Sequence, residues 1–163
     1  MLLASASLQA AAQQTRSFDM VQSHNKEEVI YRGQVSFNDL AGVKAFDLEH
    51  AAAQYRPAPE AIKALSEQLS ACRLLVFLGT WCEDSHRMIP QLYRVLGDVH
   101  YPPEKITLYA VDREKKAGNG EEQVYHITNV PTVIVLRNGT EAGRITEIVD
   151  QSVEADLLKI LGK

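Results

Sequence analysis

The stretch of this 163-residue chain best equipped for chemistry is Trp81-Cys82-Glu83-Asp84-Ser85, which follows closely on the apolar run Leu74–Leu78. A thiol placed where a buried strand turns into a helix meets that helix's free N–H groups and positive dipole end. Both favour the thiolate, which is the nucleophilic form. In a dithiol redox motif a second cysteine stands three residues on and resolves the mixed disulfide made by the first. Ser85 occupies that place here. The resolving step is therefore closed, and a mixed disulfide on Cys82 must be released by an external thiol.

The neighbours of Cys82 pull in different directions. Ser85 lies about one helical turn away, and two roles are open to it: donating a hydrogen bond to the Cys82 thiolate, or satisfying a nearby backbone carbonyl. Glu83 and Asp84 suit the positive end of a helix, yet as anions they oppose negative charge on the sulfur. His86 shares the helical face of Cys82; it either offsets those anions when protonated or is an exposed surface histidine. Cys72 has no such setting and reads as inert packing. The two cysteines sit at opposite ends of one predicted strand. At roughly 3.3 Å per residue, they are separated well beyond the Cα distance of about 7 Å that a disulfide bridges.

The elements that position this stretch follow from periodicity and punctuation. Arg73–Gly79 is too short for a helix and largely apolar, as in a central strand covered on both faces. A helix is predicted from Cys82 to Leu96, with Met88, Ile89, Leu92, Val95 and Leu96 inward, Gly97 as its stop and a kink at Pro90. A second strand is predicted at Ile106–Val111 and a short helix at Glu121–Tyr125. Strands at Thr132–Leu136 and Ala142–Val149 are joined through Asn138-Gly139, a hairpin signal. Ser152–Leu161 reads as an amphipathic closing helix. Upstream, residues 43–56 and 59–70 look helical, while 15–36 are mixed and polar and read as an irregular or partly extended lead-in.

Composition sets outer bounds. The length suits one domain with a modest extension and a core that needs no disulfides. A net charge of −4 offers no basic footprint for nucleic acid. No run reaches the ~18 apolar residues of a transmembrane helix. Residues 1–14, rich in Ala, Ser and Leu, have two readings: the back half of a secretory signal, or an ordinary Ala-rich helix. The first places the protein in the cell envelope or periplasm, the second in the cytoplasm.

The order strand, helix, strand, helix, strand, hairpin, strand, helix resembles the thioredoxin fold. Trp81-Cys82 opens the first helix, Pro90 falls eight residues after Cys82, and Val130-Pro131-Thr132 precedes the Asn138-Gly139 hairpin. The resemblance is to bacterial thioredoxin-like proteins whose site reads Trp-Cys-x-Asp followed by Ser or Thr. It implies an α/β thioredoxin-like domain over residues 71–163, preceded by a helical extension over 1–70. It also implies a cis peptide before Pro131, against the alternative of a trans turn proline, leaving the Val130 backbone beside Cys82 for an extended substrate. Val76 stands where many thioredoxins have a buried Asp serving the resolving cysteine. Glu147 stands where they tend to have a glycine lining the groove; it either approaches Cys82, crowding the groove or relaying a proton, or is a plain edge-strand carboxylate.

Cys82, Asp84, His86 and Glu147 are donor types for zinc. The first three come from one helical turn that does not converge tetrahedrally, and no paired Cys/His spacing accompanies them. Neither a metal nor another cofactor is expected. The function implied is thiol-disulfide exchange through Cys82, with Ser85 in support and Trp81, Glu83, Asp84, His86, Val130, Pro131 and Glu147 lining the site. Its partners are protein or low-molecular-weight thiols and disulfides. The alternative is a non-catalytic module that captures extended peptides at the proline groove. A peroxidase is disfavoured because the Thr-x-x-Cys arrangement is absent.

Overall fold

The computed structural model of the chain describes residues 17–23 and 28–162; the opening residues 1–14 lie outside them. Strand β3 (Cys72–Leu78) is the centre of a six-stranded mixed sheet. Its apolar run alternates between two cores, as a period of two requires. Leu74, Val76 and Leu78 enter the larger core, and Leu75 and Phe77 the smaller one. Around it the sheet orders as β1 (Phe18–Gln22), β2 (Val29–Val35), β4 (Ile106–Ala110), β3, β5 (Thr132–Arg137) and β6 (Thr140–Thr146). β3 and β4 run parallel, whereas β5 is antiparallel to both β3 and β6. Helices α4 (Glu83–Asp98), α5 (Glu121–Val124) and α6 (Val153–Leu161) follow β3, β4 and β6. From β3 to α6 this is the thioredoxin fold.

The lead-in, expected to be irregular or partly extended, is in part extended and joins the sheet. Residues 18–22 and 29–35 form a hairpin that extends the sheet past β4, through the antiparallel pairs Gly33–Ala110, Gln34–Tyr109 and Val35–Leu108. Only Ile30, Gly33 and Val35 of β2 are buried, so the apolar alternation that marks a strand is weak. The backbone at Gly33 has φ +126, and a Cβ there would lie 2.6 Å from the Ser17 carbonyl oxygen, which a side chain could not accommodate. A further short helix, α1 (Phe37–Ala41), starts at a capping box between Ser36 and Asp39, the Ser-x-x-acid signature.

The helix expected over 43–56 is broken. A 3-10 turn at Lys44–Phe46 and α2 (Leu48–Gln54) meet at Asp47, which is left-handed at φ +43. α3 (Pro59–Gln68) begins with its proline in the first turn, where no amide partner is lost. Leu40, Phe46, Leu48, Leu65 and Leu69 enter the same core as α4 and α6. Glu154 on α6 ties this layer down by accepting from the Tyr55 hydroxyl at 2.7 Å and the Ala58 N–H at 3.1 Å. Burial opposes its ionisation, but hydrogen bonds from Tyr55, its own backbone, Ala58 and Ser152 outweigh that and hold its pKa below the ordinary carboxylate value.

α4 runs two residues further than expected, through Gly97, with Pro90 inside it. It stops at His100 instead, whose φ of +52 supplies the left-handed turn. The His100 N–H returns to Gly97 O at 3.1 Å and the Tyr101 N–H to Leu96 O at 2.9 Å, the paired closure of a Schellman motif. Among the described residues no helix is long and apolar enough to cross a membrane.

Candidate functional site

The turn from β3 into α4 is built from Gly79, Thr80 and Trp81, and it is held from several directions. A Cβ on Gly79 would lie 2.8 Å from the Trp81 ring and 3.1 Å from the Cys82 Cβ, so the close approach demands glycine. The Gly79 N–H donates to Ser85 Oγ at 3.1 Å, and the Cys82 N–H donates to Gly79 O at 3.1 Å. His86 Nε2 lies 2.8 Å from the Thr80 carbonyl; since a carbonyl only accepts, Nε2 carries the proton. The Thr80 hydroxyl donates to Val29 O at 2.5 Å and accepts the Tyr31 N–H at 3.1 Å, which fastens β2 to the turn.

Cys82 is the N-cap of α4, with φ −99 and ψ 120, and its side chain makes no capping bond. It is half-buried and free. Its thiol donates to the Val130 carbonyl at 3.3 Å. The Val130–Pro131 peptide is cis. The Glu147 N–H donates to Pro131 O at 2.8 Å, and its Oε2 accepts from Asn129 Nδ2 at 2.7 Å. Glu147 is left-handed at φ +55, a region where glycine is the residue without a steric cost.

Trp81 covers the other flank. Its Nε1–H donates to Val111 O at 2.9 Å, and the Arg113 guanidinium stacks 5.1 Å from the ring centroid. Arg113 in turn pairs with Glu28. The Ser23 hydroxyl bonded to Glu28 lowers that carboxyl's pKa, burial raises it, and Arg113 lowers it again; the net result lies below the ordinary value.

The residues singled out in the sequence thus divide into groups. Cys82, Val130, Pro131 and Glu147 meet at one loop, with Asn129 beside them. Ser85 is fully buried, its oxygen engaged by Gly79. His86 is tied to Thr80 and lies edge-on to Phe46 with centroids 4.9 Å apart, so it is a tether on the turn and not an exposed surface side chain. Glu83 is exposed, and Asp84 pairs with Arg87 on the helix surface. Thr80, Asn129, Glu28 and Arg113 were not read from the sequence as site residues. Thr80 and Asn129 adjoin the motifs and were within reach, whereas Glu28 and Arg113 are 85 residues apart and carry no local signal.

No family model and no curated protein matches the chain. Among solved structures, mitochondrial thioredoxin 3 from Saccharomyces cerevisiae in its oxidised form is similar at 16% identity and a TM-score of 0.40, over 69% of this chain and 97% of its own. An HIV epitope-scaffold protein is similar at 19% identity and a TM-score of 0.44, over 78% of each chain. A protein of unknown function from Pseudomonas aeruginosa is similar at 22% identity and a TM-score of 0.41, over 78% of this chain and 77% of its own.

Proposed function

We propose that the protein carries out thiol-disulfide exchange through the single nucleophilic cysteine Cys82. The observation that carries this reading is the placement of a half-exposed thiol at the N-cap of α4, with its sulfur 3.3 Å from the Val130 carbonyl. The Val130–Pro131 loop offers backbone beside that sulfur on which an extended partner can lie.

In the forward step the Cys82 thiolate attacks one sulfur of a disulfide R–S–S–R′. A Cys82–S–S–R bond forms, the S–S bond of the partner breaks, and R′–S⁻ leaves and takes a proton from solvent. A second, external thiolate then attacks the R sulfur of the adduct, and Cys82 departs as thiolate. When that thiol belongs to the same partner the result is isomerisation, with no net oxidation. When two external thiols are consumed, they are oxidised and the partner is reduced. Ser85, buried against Gly79, fixes the turn that presents the sulfur and supplies no second thiol.

Incubation of the native protein with bis(2-hydroxyethyl) disulfide, followed by intact-mass analysis, tests this directly. One adduct that maps to Cys82 and is removed by glutathione is expected, with none in Cys82→Ser. A native protein that forms no adduct, or an insulin-reducing activity that survives Cys82→Ser, overturns the reading. Stoichiometric adduct with no turnover favours the peptide-capturing module.

A further inference from the structure

We propose that Glu147 makes Cys82 selective for cationic thiols and disulfides; the inference builds on the exchange reading above and names the substrate class of that site. The carbonyl that receives the Cys82 thiol belongs to Val130, and the next carbonyl, that of Pro131, receives the Glu147 N–H at 2.8 Å. Glu147, just past the end of β6, is therefore pinned through its backbone to the loop that receives the sulfur. Its Oε2 is held by the neutral Asn129 amide at 2.7 Å, and among the described residues it takes part in no ion pair. It is half-buried, with a left-handed backbone; that conformation penalises any side chain relative to glycine. A non-glycine residue held there beside a reactive group is an outlier that points toward function.

Among the described residues, no cation near the site pairs with Glu147. Arg87 pairs with Asp84, and Arg113 pairs with Glu28 while stacking on Trp81. Arg56, which lines the same groove as Glu147, directs its guanidinium to the carbonyls of Ala53 and Tyr55. Glu83 adds an exposed carboxylate next to Cys82 in the chain, with no ion pair among the described residues. Glu147 also lines a groove of about 510 Å³ along α4, together with Asp84, Arg87, Met88 and Ile148. Ile148 is 76% exposed and offers apolar contact beside the charge. A partner with an ammonium or guanidinium near its reacting sulfur supplies the missing cation. A partner carrying a carboxylate there meets uncompensated repulsion.

The test uses three small disulfides with the full chain: cystamine as dication, bis(2-hydroxyethyl) disulfide as neutral probe and dithiodiglycolate as dianion. Second-order rate constants for adduct formation on Cys82 are compared as the cystamine-to-dithiodiglycolate ratio, so the intrinsic reactivities of the probes cancel between variants. Glu147→Gln is expected to lower that ratio by roughly five- to tenfold, with the wild-type ratio itself shrinking as ionic strength rises from about 0.01 M to about 1 M. Glu147→Gly suits the left-handed backbone and is expected to lower it equally, which guards against a folding defect in the first variant. A ratio unchanged in both variants overturns the selectivity and leaves the exchange reading intact. A loss shared equally by all three probes overturns it too, since it marks a proton-transfer or structural role. Failure of every probe to modify native Cys82 overturns the exchange reading, and this inference with it.

Discussion

Cys72 opens β3 with 1% of its surface exposed, and its carbonyl accepts the Tyr101 hydroxyl at 2.8 Å. Cys82 lies just beyond the other end of the same strand, half-buried at a helix N-cap, with its sulfur on a loop carbonyl. The first is surrounded by the larger core, where a thiol is a small hydrophobe. The second stands where dipole, exposure and a neighbouring peptide loop converge. The pair teaches that reactivity belongs to the position on the fold, because one strand presents the same residue type in both states.

The most direct way to break the comparison is brief alkylation of the native protein with site mapping. Cys82 is expected to react at least about a thousandfold faster than Cys72, which is reached only through opening of the core. Comparable labelling of both would end the distinction. Ser85→Cys then asks whether the Cys82 position is built for resolution once a second thiol is supplied. Release of the bis(2-hydroxyethyl) disulfide adduct, followed by mass spectrometry without added thiol, should speed up by roughly tenfold or more through proximity. No acceleration would mean that burial of position 85 keeps the two sulfurs apart.

Smaller effects sharpen the contrast in stability. Urea denaturation should show Cys72→Ser losing about 1–3 kcal/mol, as a hydroxyl enters an apolar core. Cys82→Ser should cost less, within about 0.5 kcal/mol, because a hydroxyl can keep the bond to the Val130 carbonyl at this half-buried position. Equal costs would place both cysteines in the same environment.

Alkali probes the Cys72 side through Tyr101. Burial, and then the proximity of Cys72, push that hydroxyl's pKa well above the ordinary 10.0. A group raised in the folded state contributes stability that is fully present below its unfolded value, near 10, and is lost as pH rises through the folded value. Denaturation midpoints should therefore fall above pH ~10. Tyr101→Phe should make that limb shallower, leaving the part owed to the other raised tyrosines Tyr55, Tyr93 and Tyr109, and cost about 1 kcal/mol at neutral pH. An unchanged alkaline limb in the variant would assign it to other groups.

The legibility of the chain follows the range of the forces involved. β3 and α4 were readable because an unbroken apolar run, a thiol after it and a three-four pattern from Met88 to Leu96 are local signals. The stop of α4 was misplaced at Gly97. The left-handed turn falls on His100, which backbone closure onto Leu96 and Gly97 makes possible despite its side chain. The pairing of β1 and β2 leaves little trace in the sequence because β2 is half-exposed and its sheet partner, β4, is distant in sequence. For Ser85 and His86 both candidate roles fitted the helical spacing. Contact with Gly79 and Thr80 depends on how tightly the turn folds back, which spacing does not reveal.

By itself, the sequence determined that a lone thiol would follow a buried strand into a helix, that no second cysteine would lie one turn on, and that an Asn-Gly hairpin and closing helix would complete the layer. These are properties of neighbouring residues, where periodicity and backbone preference act directly. Only the tertiary structure decided that the Cys82 sulfur would meet the carbonyl of Val130, 48 residues away. It also decided that Thr80 would be fastened by β2, and that Glu147 would turn left-handed against Pro131 with its carboxylate on the Asn129 amide. Those outcomes depend on where distant segments cross, and burial in a shared core is what brings them to the same place.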